Sequence, residues 1–309
     1  MTVALDVLGG FLGAGKTATI NRLLSSAPVP IGVIVNDFGA VNVDEALIAQ
    51  AGGDVVGLTN GCVCCAVGDD LGGAIGRLRQ AAPAVTRIVV EASGVGDPRR
   101  IAQIARLERD LAHGLVIVAV NVRDLAGQLA DPYLADTVQR QLARADRCLL
   151  THADVVPAAR LRQAVALLER LGIGPERMFL AGEEDQACFA PASGASGRFS
   201  AEAVTGDAPH ADLFWRRHWP QARRVTRAAL EAWLGGLPEQ ILRIKGIVSV
   251  ADHDHPVLVQ RAGAAQTLAE APGTQPCGLV AIGRPPLPDL TWPDTTGFDV
   301  AIPTGEPVR

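Results

Sequence analysis

Length, composition and charge already exclude several classes of protein. The chain has 309 residues, of which 48% are hydrophobic, so a wholly disordered protein is excluded and about two domains are expected. A net charge of −5 with dispersed basic residues argues against a nucleic-acid partner, and no apolar run approaches the roughly 18 residues of a membrane span. The N-terminus lacks a basic leader, and three of six cysteines crowd at positions 62, 64 and 65, so we expect a cytoplasmic protein with metal or redox chemistry.

From residue 3 to about 180, short apolar runs alternate with longer amphipathic stretches, which is the pattern of β-α-β units. The predicted strands are Val3–Leu8, Pro30–Val35, Arg87–Val90, Leu115–Val120 and Arg147–Leu150, and the predicted helices are 16–26, 68–81, 98–112, 134–145 and 157–171. We therefore predict an α/β domain over residues 1–182 with a doubly wound, mostly parallel sheet of P-loop type.

The amino-acid composition changes after residue 182. Residues 183–212 are rich in Gly, Ser, Ala and Pro, a composition typical of a linker. Residues 213–309 predict a second, smaller α+β domain that ends in an irregular tail. Its predicted elements are a helix at about 226–235 and strands at Gln240–Val250, Pro256–Arg261 and Gly278–Ile282.

Residues 10–17, Gly-Phe-Leu-Gly-Ala-Gly-Lys-Thr, fit the phosphate-loop pattern G-x-x-x-x-G-K-[ST] between a predicted strand and a predicted helix. In such a loop, backbone N–H groups face phosphate oxygens, Lys16 reaches the β- and γ-phosphates, and the Thr17 hydroxyl binds Mg²⁺. The candidate nucleotide-binding residues of the loop are Gly10, Gly13, Ala14, Gly15, Lys16 and Thr17. The motif predicts a nucleotide but does not identify its base.

Two further segments carry carboxylates directly after predicted strands. In the segment 35–44, Asp37 or Asp44 is a candidate for a switch that orders around the γ-phosphate and Mg²⁺, although an ordinary turn has the same composition. Glu91 ends an apolar strand, where it is placed to hold Mg²⁺ through water or to orient an attacking water, with a strand-end cap as the alternative. Gly94, three residues later, is a candidate N–H donor to the γ-phosphate.

The segment Thr151-His152-Ala153-Asp154 follows a later strand of the same domain. A carboxylate there can accept hydrogen bonds from guanine N1–H and N2–H₂, which adenine lacks, so Asp154 is the candidate that reads the base. A helix-capping aspartate is the alternative.

Cys62, Cys64 and Cys65 supply three soft ligands within four residues, which suits Zn²⁺, Cu⁺ or a similar ion. A fourth ligand would come from water, a partner or a distant residue such as His113. A C-x-x-C redox pair and buried inert thiols are the alternatives. Farther along, His253 and His255 alternate with aspartates, which indicates either metal ligands or a polar hairpin turn.

The order of these segments resembles the CobW-type GTPases, the metallochaperone branch of the P-loop GTPases that also includes the hydrogenase and urease nickel-insertion GTPases. The matching segments are the phosphate loop, Val-Asn-Asp-Phe-Gly (35–39), Gly-Cys-Val-Cys-Cys (61–65), Val-Glu-Ala-Ser-Gly (90–94), Thr-x-x-Asp (151–154) and Arg-Ile-Lys-Gly (243–246). The resemblance therefore covers about residues 3 to 284.

This resemblance implies Mg²⁺-dependent GTP hydrolysis coupled to the binding and release of zinc or cobalt, with iron as a further cargo. It assigns catalysis to Lys16, Asp37, Glu91 and Gly94, further nucleotide contacts to Thr151, His152 and Asp154, and the cargo to Cys62, Cys64 and Cys65. The partner it implies is a client metalloprotein, and a homodimer is left open. Asp37 stands where the family usually has Glu, and His152 where it usually has Lys. The competing hypotheses are a P-loop kinase or ATPase with structural cysteines, and a metal or nucleotide sensor that does not hydrolyse.

Overall fold

The computed structural model describes residues 3–35, 54–57, 69–105, 111–190, 214–220, 224–263, 265–271, 277–286, 288 and 290. These residues form two compact units, the first ending at residue 190 and the second beginning at residue 214. Within the described ranges, no helix is both long and apolar enough to cross a membrane.

The first unit is built on a seven-stranded sheet. Its strands are β1 (Val3–Gly9), β2 (Ile31–Val35), β3 (Asp54–Gly57), β4 (Arg87–Glu91), β5 (Leu111–Asn121), β6 (Arg147–Thr151) and β7 (Met178–Leu180). They lie in the order β3-β2-β4-β1-β5-β6-β7, and each neighbouring pair is parallel. The predicted α/β fold with a mostly parallel sheet is confirmed.

Helices cover both faces of this sheet. They are α1 (Lys16–Ser26), α2 (Asp69–Ala81), α3 (Pro98–Ala105), α4 (Leu125–Ala130), α5 (Ala135–Ala143), α6 (Ala158–Arg170) and α7 (Asp185–Phe189). Successive side chains of a strand point to opposite faces, so Val7 of β1 packs in one core with α2 and α3, whereas Leu8 packs in another with α1 and α7. The two-sided burial explains why the strands read as continuous apolar runs.

Several parts of the first unit differ from the sequence prediction, which also lacked the six-residue helix α4. The predicted helix 98–112 was wrong at its end, because α3 is described only to Ala105 and residues 111–112 pair with β1 as the start of β5. Strands β3 and β7 were missed because four and three residues are too few to show a period. Residues 183–190 were assigned to the linker, yet they contain α7, whose Cys188 and Phe189 are buried in the core with α1.

In the residues that the structure describes, the second unit contains an antiparallel sheet and one helix. Its elements are β8 (Trp215–Pro220), α8 (Arg227–Gly235), β9 (Ile241–Val248), β10 (Val257–Ala262), β11 (Ala265–Glu270) and β12 (Gly278–Gly283), with strand order β11-β10-β9-β12-β8. The Thr226 hydroxyl caps α8 by accepting from Ala229 N, and Leu230 and Leu234 of α8 pack on the sheet. The small α+β domain is confirmed, while β8 and β11 were not predicted because charged and polar residues interrupt them.

Candidate nucleotide site

The phosphate loop joins β1 to α1 and depends on glycine geometry. Gly10, Gly13 and Gly15 have φ angles of 131°, 77° and 82°, a region that other residues rarely adopt. A Cβ atom at Gly10 would also lie only 2.5 Å from the carbonyl oxygen of Ala119 on β5. The loop therefore curls tightly at the carboxyl edge of the sheet and leads into the N-terminus of α1, where backbone N–H groups favour an anion.

Lys16 is the first residue of α1 and is only 5% exposed. Its Nζ donates a hydrogen bond to the Gly10 carbonyl oxygen at 2.9 Å and lies 3.5 Å from that of Phe11. The ammonium group is therefore held against the backbone of the phosphate loop. Thr17 follows it in the first turn of the helix, where a hydroxyl suits the Mg²⁺ that accompanies a bound nucleotide. The residues of the loop thus fit a nucleotide phosphate with its metal ion.

Glu91 and Gly94 lie at the same edge of the sheet. Glu91 is the last residue of β4, is 4% exposed, and is in register with Leu8 of β1 and with the last residue of β2. A Cβ atom at Gly94 would lie 2.4 Å from Leu12 Cδ2, so the segment after β4 packs directly on the phosphate loop. The structure thus brings the carboxylate and the candidate N–H donor beside the loop that would hold the phosphates.

The Thr151-His152 pair packs on the other side of the loop. The Thr151 hydroxyl, buried at the end of β6, donates to the Ala14 carbonyl oxygen at 2.8 Å. His152 adopts a left-handed backbone with φ 59°, and its Cε1 would lie 3.5 Å from a Cβ atom at Gly15. Asp154 lies in the one-turn 3₁₀ helix that follows and is exposed, so its carboxylate is available to a ligand.

The hydrogen bonds favour one tautomer of His152. The Thr151 hydroxyl has carbonyl acceptors at Ala14, 2.8 Å away, and at Val120, 3.2 Å away, and its oxygen lies 3.1 Å from His152 Nδ1, an arrangement that suits a proton on Nδ1. Burial, and next the nearby Arg123 guanidinium, lower the pKa of His152 below its ordinary value. Burial therefore favours the uncharged form of this imidazole more than in a free histidine.

Two supporting groups were missed by sequence reasoning. Asn121 ends β5 beside Thr151, is 3% exposed, and donates through Nδ2 to the Gly13 carbonyl oxygen at 3.3 Å. Asp185 accepts from Gly182 N at 3.1 Å and from Arg22 Nε of α1 at 2.7 Å, which ties the turn after β7 to the helix of the phosphate loop. A polar residue at the end of an apolar strand would have indicated Asn121, but no local signal pointed to Asp185.

Most of the predicted metal ligands lie outside the residues that the structure describes. Asp37, Asp44, Cys62, Cys64 and Cys65 lie outside the described residues, as does the side chain of His113. Among the residues that are described, no three His, Cys, Asp or Glu side chains group to hold a metal ion. His253 and His255 lie in an exposed turn, where His255 Nε2 is 3.8 Å from Glu270 Oε1.

Comparison with known families agrees with this geometry. Residues 4–173 match the CobW/HypB/UreG nucleotide-binding domain, and residues 216–291 match the cobalamin synthesis protein cobW C-terminal domain. The chain belongs to the CobW/HypB/UreG family. The resemblance to CobW-type GTPases inferred from the residues is thereby confirmed for both units.

The curated relatives of this CobW-family chain include zinc chaperones. Zinc chaperone YjiA of Escherichia coli (strain K12) is 33% identical over 177 residues, which cover 53% of this chain and 54% of YjiA. Zinc chaperone CobW of Sinorhizobium sp is 29% identical over 191 residues, covering 52% and 53% of the two chains. The chain thus spans only 54% and 53% of the length of these two curated relatives.

Similar solved structures include two metal-bound proteins. Zn(II)-bound YjiA GTPase from E. coli has a TM-score of 0.45 at 22% identity, with 92% of this chain and 95% of the other covered. HypB from Helicobacter pylori in complex with nickel has a TM-score of 0.44 at 14% identity, with 62% and 90% covered.

Proposed function

We propose that this chain is a Mg²⁺-dependent GTPase that carries zinc or cobalt and passes the ion to a client metalloprotein when GTP is hydrolysed. The observation that carries the proposal is the buried Lys16 ammonium on the glycine loop, with Gly94 packed on one side of that loop and Thr151 on the other. A site with these three neighbours suits a nucleotide whose phosphates and base are both recognised.

The phosphate end of the site follows from charge and donors. Lys16 and the N–H groups at the start of α1 would bind the β- and γ-phosphates, and the Thr17 hydroxyl would bind Mg²⁺, which neutralises charge on those phosphates. Glu91 would hold that ion through water or orient the attacking water, and Gly94 would donate to the γ-phosphate. Asp37 follows β2 by two residues and is proposed to complete the switch around that phosphate.

The base end supports guanine over adenine. Thr151 is anchored to the phosphate loop, and Asp154 follows with an exposed carboxylate that can accept two hydrogen bonds from guanine. We expect Asp154→Asn to weaken GDP binding by about 10- to 100-fold, because the amide places a donor against the guanine N–H groups. ADP binding, compared by isothermal titration, should change little. Asp136→Asn, on the exposed face of α5, is the matched control.

The proposed binding site for the transported metal is the cysteine cluster. Cys62, Cys64 and Cys65 offer three thiolates, and the zinc chaperones among the relatives support zinc as the first cargo to test. If GTP ordering of the switch tightens metal binding, then metal binding must tighten GTP binding by the same factor. Hydrolysis would then loosen the metal and allow its transfer.

The test is a titration of Zn²⁺ and of Co²⁺ in the presence of a non-hydrolysable GTP analogue or of GDP. We expect tighter metal binding with the analogue, and loss of that binding in Cys64→Ser but not in the control Cys277→Ser. Equal affinities in the two nucleotide states would overturn the coupling. Phosphate transfer to a small acceptor that is indifferent to Cys64→Ser would indicate a P-loop kinase, and nucleotide binding without phosphate release at saturating metal and client would indicate a sensor.

A further inference from the structure

A glutamine far from the phosphate loop in sequence contacts the segment that carries Gly94. Gln141 lies on α5 and is 3% exposed. Its Nε2 donates to the carbonyl oxygen of Gly96 at 2.8 Å and lies 3.4 Å from that of Gly94. The buried Gln141 amide thus contacts two carbonyls of one short segment. It stabilises that conformation of the segment, because moving the backbone would leave buried polar groups unpaired.

The segment is held at its far end by the same helix. Arg144, which follows α5, pairs with the carboxylate of Asp97, whose Oδ1 also accepts from Arg99 N at 2.9 Å. Arg99 Nε in turn donates to the Arg144 carbonyl oxygen at 3.2 Å. Both ends of the stretch 94–97 are therefore fixed to the region of α5.

On the side opposite α5, Gly94 packs tightly against the phosphate loop. The Gly94 Cα is so close to the phosphate loop that a Cβ there would lie 3.1 Å from Leu12 N and closer still to the Leu12 side chain. The segment is thus held between the phosphate loop and α5, with its carbonyls turned to Gln141. Contacts on both sides therefore restrain its backbone.

We propose that Gln141 is a positioning residue that holds the Gly94 segment ready for the γ-phosphate, so that it sets the preference for a nucleoside triphosphate over the diphosphate. The inference rests on the proposed GTPase function. A segment that is already ordered does not lose conformational freedom when the ligand binds, so its anchor raises affinity for the ligand that touches it. In the proposed site only a γ-phosphate would reach Gly94, whereas the phosphates of a diphosphate would contact the phosphate loop without Gly94.

Gln141→Leu tests this role because leucine keeps the bulk of the side chain and removes both donors. We expect the affinity for a non-hydrolysable GTP analogue to fall about tenfold, in proportion to the loss of one to two hydrogen bonds, while the affinity for GDP stays within about twofold. Gln139→Leu makes the same change on an exposed position of α5 and is the matched control. The measurement is isothermal titration of each nucleotide with Mg²⁺.

The outcomes are distinguishable. A fall in both affinities by the same factor, or no change in either, would overturn the positioning role, since a structural effect alone does not separate the two nucleotides. Arg144→Gln loosens the other end of the segment without emptying a buried site, and should shift the same ratio in the same direction should Gln141→Leu fail to fold. A wild-type protein that binds neither nucleotide would reject the proposed function and the inference with it.

Discussion

Alanine at Gly10 tests whether the phosphate loop is held by backbone geometry. The φ angle of 131° costs a residue with a Cβ about 1–3 kcal/mol. The Cβ would also meet the Ala119 carbonyl oxygen at 2.5 Å, and relieving such an overlap against backbone costs about 1–3 kcal/mol more. We therefore expect Gly10→Ala to lower the free energy of unfolding by about 2–6 kcal/mol, a large share of the total stability of a domain.

The matched control is Gly127→Ala in α4, where a Cβ would meet nothing within 4 Å. There the same substitution should raise the free energy of unfolding by about 0.5–1 kcal/mol, because alanine loses less backbone entropy in a helix. Urea unfolding followed by far-UV circular dichroism reports mainly on the first unit, which holds seven of the eight α-helices in the described ranges. Tryptophan fluorescence reports on the later part of the chain, since the first tryptophan is Trp215. Equal stability of the two variants would refute the argument from backbone geometry.

Three further predictions follow from side-chain contacts. Burial lowers the pKa of His152, so as the pH falls below the ordinary value of about 6.5 the unfolded chain takes up a proton that the folded chain resists. The free energy of unfolding should therefore fall between about pH 7 and 5. It should fall by less in His152→Asn, a variant chosen because asparagine tolerates the left-handed backbone. Parallel pH curves of the two proteins in urea unfolding would contradict this. Asp185→Asn weakens the acceptor for Arg22 and Gly182, and should cost about 1–3 kcal/mol by the same assay, whereas Asp136→Asn, which weakens only an exposed pair with Arg140, should cost less than about 1 kcal/mol. Burial raises the pKa of the Cys148 and Cys188 thiols to about 12, so neither should react with a thiol reagent at pH 8 until the protein unfolds; rapid labelling of either would show that the core opens.

The parallel sheet was predictable because its strands are buried on both faces. Runs such as Val3–Leu8 and Arg147–Leu150 stand out against the amphipathic helices between them, and their order along the chain left few topologies open. The elements that were missed lack such a signal. Strand β8 carries two arginines and a histidine, and α7 is a five-residue helix inside a stretch that continues into linker composition.

In the candidate site, too, some residues could be predicted from the sequence and others could not. Lys16 and Thr17 belong to a contiguous motif with a mechanism, so their placement at the start of α1 followed from the sequence. Gln141 donates to backbone carbonyls 45 and 47 residues away, and Asp185 contacts the backbone of Gly182 and the side chain of Arg22, which is 163 residues away. Hydrogen bonds to a backbone carbonyl or N–H place no demand on the residue type of the partner, so the sequence carries no pattern that would reveal them.

The two lysines of the chain offer a comparison for the histidine at position 152, where the family resemblance leads one to expect a lysine. All basic residues other than Lys16 and Lys245 are arginine, and both lysines are buried, at 5% and 6% exposure. A lysine suits a position where a thin stem carries a compact charge into the protein, as Lys16 does when its Nζ donates to the Gly10 carbonyl oxygen. At position 152 an arginine would have kept the positive charge of the lysine that the family resemblance leads one to expect, whereas burial of His152 disfavours its charged form. We therefore expect the His152 side of the proposed nucleotide site to contact its ligand through an imidazole ring rather than through a lysine ammonium.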